Sequence, residues 1–229
     1  MDTAVAYPIA ATGGSTFYDL LRPLAETYAR ARPVRRVAVV GNQPLAPSIE
    51  RAAAIDSADL VFRVNGFRLD GEGDEPAVGR RTDVIVFNRG VRPTPWFFAE
   101  YTKRLYLMIE PGRMHWEWEQ YPDFWPQDLG FITVPNRDVI IPLNNAIALD
   151  AQRDGLWATT GTTMAWIAAE LFPDADLVAA GFSFVAEPDQ REWKHAYGDP
   201  SPVGPEHRIA NEAILFQRWS DAGRLHYFE

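Results

Sequence analysis

The chain contains no cysteine among its 229 residues. That excludes disulfides, thiolate nucleophiles, zinc-thiolate sites and iron-sulfur clusters together. Basic residues are in deficit, 22 Lys and Arg against 31 Asp and Glu, giving a formal charge of −9 at pH 7. A polyphosphate binder needs a basic stripe that displaces counterions, and the cations here are scattered, so no nucleic-acid partner is expected. A small anion is a different matter, because a helix N-terminus and one or two local cations suffice to hold it. No apolar run approaches the roughly 20 residues that cross a bilayer, and Met1-Asp-Thr-Ala-Val-Ala-Tyr-Pro lacks the basic start and apolar core of a secretory signal. The expectation is a soluble, cytoplasmic protein without a membrane span. Two familiar signatures are also missing: no G-x-S-x-G elbow occurs, and Val-Val-Gly41-Asn42-Gln-Pro44-Leu45 puts Pro and Leu where the dinucleotide fingerprint needs small residues, which disfavours NAD or FAD.

What is present is apolar and aromatic. With 47% apolar and 13% aromatic residues, eight of them Trp and thirteen Phe, the chain can bury a sizeable core as one domain over residues 1–229. Many aromatics fall in Pro-rich segments, which fits either an aromatic-lined cleft or side chains tucked onto the body. Ser15 or Thr16 can cap a helix reaching about Arg30, with Phe17, Leu20, Leu21, Leu24 and Tyr28 on one face. Arg36-Val-Ala-Val-Val-Gly41 is too continuously apolar for a half-exposed strand and reads as a buried parallel one. A helix from Ser48 to Ile55 and a strand Leu60–Asn65 complete a βαβ unit, followed by strands at Asp83–Asn88, Arg104–Ile109 and Asp176–Gly181. Strands alternating with helices predict an α/β fold: a single Rossmann-like domain whose mostly parallel sheet carries helices on both faces. The segment 92–135, rich in Pro, Trp, Phe and Glu with weak periodicity, reads in part as a lid or acceptor-side insertion.

Gly41-Asn42, Asn65 and Gly181 stand at strand carboxyl ends, where an open parallel sheet binds ligands, and should line one crevice. Gly41 permits a tight turn and the Asn42 amide can both donate and accept; capping of the next turn explains that Asn equally well. Thr159-Thr160-Gly161 precedes an apolar helix from Met164 to Phe172, so Thr159 or Thr160 can cap it while amides around Gly161 offer an anion site; ordinary capping is the plainer reading. Two of the four histidines lie close together, in His195-Ala-Tyr197 and at His207, five residues before Glu212 on an expected helix from Glu206 to Asp221. A histidine pair beside a ligand can divide base and acid roles. His207 is expected to project into the crevice and Glu212 to brace the helix against a neighbour. His115-Trp-Glu117-Trp-Glu119 would place three ligands on one side of a strand, but closed sites need more, and no metal site is expected. Asp174-Ala-Asp176, at a helix-to-strand turn, belongs to the opposite end of the sheet and reads as a surface turn.

Taken together, these pieces resemble the sialyltransferases, the animal-type family and its bacterial relatives, from about Arg36 onward. Val39-Val-Gly41-Asn42 through Ile55-Asp56, Asp59 to Asn65 and Val78-Gly79-Arg-Arg-Thr82-Asp83 is similar to the family's large motif, and Thr159-Thr160-Gly161 with Ala180-Gly181-Phe182 to the small one. His195-Ala-Tyr197 is similar to the third motif and His207 with Glu212 to the very small His-x4-Glu motif. The resemblance implies a variant of the A-type glycosyltransferase fold and a metal-independent inverting transfer. The donor would be a CMP-activated sialic acid or related sugar, the acceptor a glycan or small molecule, with no cofactor. It also implies that Asn42 and Asn65 contact the nucleotide and its phosphate, Thr160 and Gly161 the donor, His207 serves as general base, and His195 hydrogen-bonds the departing phosphate. On physical grounds the Tyr197 hydroxyl is a further partner for that charge. Hydrolysis of a CMP-sugar or of a nucleotide's glycosidic bond at the same site, and a non-catalytic nucleotide-binding module, are the alternatives.

Overall fold

A computed structural model describes residues 16–111, 125–198 and 200–229. Helix α1 (Phe17–Glu26) is capped by Thr16, whose hydroxyl accepts from the Asp19 N–H while Asp19 returns the bond, a reciprocal capping box. It ends four residues short of Arg30, and the chain turns back through Thr27 and Tyr28. Strand β1 (Arg36–Val40) is buried along its last four residues, as both faces of the sheet are covered. Helix α2 (Ile49–Ser57) starts at Ser48, whose hydroxyl accepts from the Arg51 N–H, and returns to β2 (Leu60–Val64). Then come β3 (Val84–Asn88), the short α3 (Pro95–Phe98) and β4 (Leu105–Ile109). After residue 124 follow β5 (Ile132–Thr133), a π-helical turn at Asn136–Ile140 that leads into α4 (Ile141–Ala146), and α5 (Ala151–Asp154). Helix α6 (Thr160–Leu171), β6 (Asp176–Ala180), a hairpin of β7 (Glu192–Trp193) and β8 (Ser201–Pro202), α7 (Ile209–Asp221) and β9 (Leu225–Phe228) complete the chain.

Seven strands form one sheet in the order β5-β4-β3-β2-β1-β6-β9, and every neighbouring pair is parallel. The α/β reading holds, with two strands added that the sequence pattern did not show. Those are β5, with two residues, and the edge strand β9, whose four residues lie beside β6 only. Alternate residues separate the two faces. Val37, Val39, Phe62, Val86 and Ala179 pack with α6, including Ala165 and Ala168. Ala38, Val40, Val61 and Ala180 face Ile55 and Ala58 from α2 and its end. Further along that face, Phe87, Tyr106, Phe97 and Trp125 form an aromatic cluster, with Phe87 and Trp125 stacked at 5.1 Å. In segment 92–135, β4 is part of the sheet and the described aromatics Trp96, Phe97, Phe98, Trp125 and Phe131 pack with it, while residues 112–124 lie outside the described set.

The chain steps outward from β1 to β5, then returns to the other side of β1 with β6. That reversal, between β1 and β6, is the point where a crevice opens beyond the strand carboxyl ends.

Candidate functional site

At the reversal two glycines meet. A Cβ on Gly41 would stand 2.2 Å from the Gly181 carbonyl oxygen, and Gly181 itself has φ +77°. Only glycine permits both the approach and the conformation, so the two chains stay in contact just past β1 and β6, the Gln43 N–H donating to the Gly181 carbonyl at 3.1 Å. Asn42 follows. Its Nδ2 donates to the Val64 carbonyl at 2.9 Å, which fixes the amide's orientation and leaves Oδ1 for the crevice, and its own carbonyl accepts from the Ala196 N–H at 2.8 Å. Thus one residue ties the end of β1 to the end of β2 and to the loop carrying His195. Asn65, at φ +49°, sits in the left-handed region that Asn tolerates better than other side chains. Its Oδ1 accepts from the Asn88 N–H at 3.1 Å, which leaves its Nδ2 to donate elsewhere.

The charged residues of the large motif do other work. Asp56 accepts from the Arg80 and Arg81 N–H groups at 2.8 and 3.0 Å, and Asp59 from Arg35 and Arg36 at 2.9 and 3.0 Å. Arg63, 1% exposed, donates to the Val78 and Arg81 carbonyls, and burial lowers its pKa to about 10. Asp56 and Arg63 thus hold the 78–81 segment, Asp59 holds the start of β1, and none of the three lines the cleft.

Thr159 is the N-cap of α6, its hydroxyl accepting from the Thr162 N–H at 3.2 Å. The same hydroxyl donates to Glu212, as does that of Thr162, and the Thr159 N–H adds a third bond at 3.1 Å. Glu212 is fully buried in α7. It braces α7 against α6, as expected from the sequence, and burial pushes its carboxyl pKa up against the lowering effect of these donors. With Thr159 so engaged, the first free amides of α6 are those of Thr160 and Gly161, at the positive end of a 12-residue helix.

His207 lies two residues before α7 rather than inside it; Arg208 is the N-cap, and its backbone is not helical. The shift matters, because the imidazole is then held by a carbonyl from another segment: Nδ1 stands 2.9 Å from the Trp157 oxygen. A carbonyl only accepts, so Nδ1 carries a proton and, in the neutral ring, Nε2 holds the lone pair. Glu206 Oε1 is 3.5 Å from that Nε2. His195 stacks on Tyr197, ring centroids 4.9 Å apart and 7° from parallel.

Gly41, Asn42, Asn65, Thr159, Thr160, Gly161, His195, Tyr197 and His207 all line one cleft of about 540 Å³. Phe182, Phe184 and Trp193 give it an apolar wall, and Lys194 and Arg92 supply positive charge despite the acidic chain. Asn88 and Glu206 also line it and do not stand out in the sequence. In the sequence Asn88 closes the run from Asp83 as Asn65 closes the run from Leu60, and that shared position is the available signal. A second cavity of about 560 Å³ shares Asn88, Gly90, Thr160, Glu206 and His207 with the first and continues to Trp157, Arg89 and Glu110. There Arg89 forms a two-pronged ion pair with the buried Glu110. His115, Glu117 and Glu119 lie outside the described residues; among those described, no three His, Asp or Glu side chains gather as metal ligands. Asp174 and Asp176 are exposed at the amino end of β6, away from the cleft.

The model of glycosyltransferase family 29 (sialyltransferase) matches residues 11–110. Over that first part the chain is similar to the sialyltransferases. The match spans the first strands, with Asn42 and Asn65, and stops before Thr160, His195 and His207, which the fold brings to the same cleft. The fold is similar to that of a mammalian sialyltransferase crystal structure, with a TM-score of 0.58 and 15% identity, over 95% of this chain and 81% of that one. It is similar too to a mammalian sialyltransferase in complex with Gal-beta-1-3GalNAc-ortho-nitrophenol, with a TM-score of 0.55 and 14% identity, over 92% of this chain and 79% of that one. Comparison with curated proteins gives no match. Among the described residues, no helix is long and apolar enough to cross a membrane.

Proposed function

We propose that this chain is an inverting glycosyltransferase that moves a sugar, sialic acid or a relative, from a CMP-activated donor to an acceptor hydroxyl without a metal ion. The observation that carries this reading is His207: its Nδ1 is committed to the Trp157 carbonyl, and it stands on the wall between two adjoining cavities. In this reading the first cavity takes the nucleotide and the second the acceptor. Nε2 of His207 removes the acceptor hydroxyl proton as that oxygen bonds to the anomeric carbon. The bond from the anomeric carbon to the phosphate oxygen breaks, CMP leaves, and the configuration inverts. Glu206, 3.5 Å from Nε2, stabilises the imidazolium so formed. Charge growing on the phosphate meets the Thr160 and Gly161 amides, the Asn65 amide, His195 and the Tyr197 hydroxyl, which do the work a cation would otherwise do.

A thermal-shift panel of nucleotides tests the donor class. CMP and CDP are expected to raise Tm and UDP, GDP and NAD to leave it unmoved, since only a ligand of the folded state stabilises it. Stabilisation by UDP or NAD with none by CMP would contradict the proposal.

A further inference from the structure

Resting on the nucleotide reading of the cleft, we infer that Asn88 is a positioning residue that aims the Thr160 hydroxyl proton into the cleft, where the acceptor it suits best is an anionic oxygen. Asn88 closes β3 and is itself held from two sides: its N–H donates to Asn65 Oδ1 at 3.1 Å, and its Nδ2 donates to Thr160 Oγ1 at 3.0 Å. A hydroxyl has one proton. Once its oxygen receives the Asn88 N–H, that proton turns toward a further acceptor, and the adjoining open space is the junction of the two cavities, which Thr160 and Asn88 both line. The hydroxyl then stands with the free Thr160 and Gly161 amides, all donating. A neutral sugar hydroxyl fits such a set less well than an oxygen that only accepts, and the donation into Oγ1 polarises the hydroxyl further. Two parts of a CMP-activated acidic sugar carry such an oxygen, the phosphate and the sugar carboxylate.

The residue reached this role by topology. β2, β3 and α6 are separate in sequence, yet Asn65, Asn88 and Thr160 form one chain of hydrogen bonds across their ends. The pairing of Asn88 with Ile109 in the sheet is a backbone matter and leaves the Asn88 side chain for this bond.

A double-mutant cycle on the full chain tests this, with calorimetric titration of cytidine, CMP and CMP-sialic acid. Asn88→Ala and Thr160→Val are each expected to weaken anion binding about three- to tenfold, and the double variant no more than Thr160→Val alone, because Asn88 acts only through that hydroxyl. Cytidine affinity should not change, which a merely structural role for Asn88 would not produce. The effect present already with CMP assigns the oxygen to the phosphate; appearing only with the CMP-sugar, it assigns it to the carboxylate. Multiplicative losses in the double variant, equal loss for cytidine, or a fully active Asn88→Ala would each overturn the role. Failure of the wild-type chain to bind any of the three ligands would instead overturn the nucleotide reading beneath it.

Discussion

The proposed chemistry turns on one imidazole whose tautomer is set by a backbone oxygen. Because the Trp157 carbonyl takes the Nδ1 proton, His207 keeps its basic nitrogen toward the acceptor side without needing a carboxylate partner on Nδ1. His207→Ala should lower transfer by about 10²- to 10⁴-fold, the usual range for a general base, while leaving CMP affinity within a fewfold of wild type. Steady-state rates with calorimetric CMP binding read both. His195 is expected to split the other way. It stacks on Tyr197 in the first cavity, away from the shared wall, so His195→Ala should weaken CMP itself as well as turnover. Both histidines are visible in the sequence as candidates, and so is the brace formed by Glu212. The Trp157 carbonyl is not, since a backbone group 50 residues away leaves no trace in a side-chain pattern.

At the scale of elements, the cleft depends on how α6 and α7 are locked. Glu212 accepts from the Thr159 N–H and from the hydroxyls of Thr159 and Thr162 inside a buried interface. Glu212→Ala leaves those donors unsatisfied and should destabilise the fold by about 3 kcal/mol, measured by denaturant unfolding. The pH dependence has a definite sign. The folded carboxyl titrates above its ordinary value of 4.5, so between that value and the raised one the folded chain holds a proton the unfolded chain has lost. Stability therefore falls as pH rises through that window, and Glu212→Gln should remove this part of the slope. Elements that announce themselves locally are legible: Thr16, Ser48 and Thr159 each occupy a cap, and the buried strands are continuous apolar runs. The start of α7 is not, because His207 donates its N–H to Gly204 in a turn that mimics helical composition. β9 escapes notice because it pairs on one side only, and Leu225-His-Tyr-Phe alternates too briefly to read.

For the whole molecule, the decisive feature is the reversal of strand order between β1 and β6, which opens the cleft where Gly41 and Gly181 nearly touch. Gly181→Ala would carry a side chain at φ +77° and set a Cβ 2.9 Å from the Gly41 carbonyl. It should cost about 2 kcal/mol, a fall in Tm of about 4–8 °C, and weaken CMP in parallel because Gly41 and Gly181 would be pushed apart in the cleft wall. The amino-acid pattern alone groups the strand-end residues into one crevice, since a parallel sheet puts all its carboxyl ends on one side. Asn88 cannot be assigned a role in the same way, because its partners come from β2 and α6 and meet it only in the fold. The most direct test of His207 as the base of a CMP-sugar transferase follows CMP-sialic acid by NMR, with and without a galactoside acceptor, in wild type and in a folded His207→Ala chain. Wild type should release CMP only with acceptor present and give a product of inverted configuration, and the variant should lose nearly all of that product. Equal product from both chains, or CMP release indifferent to acceptor, would contradict the assignment.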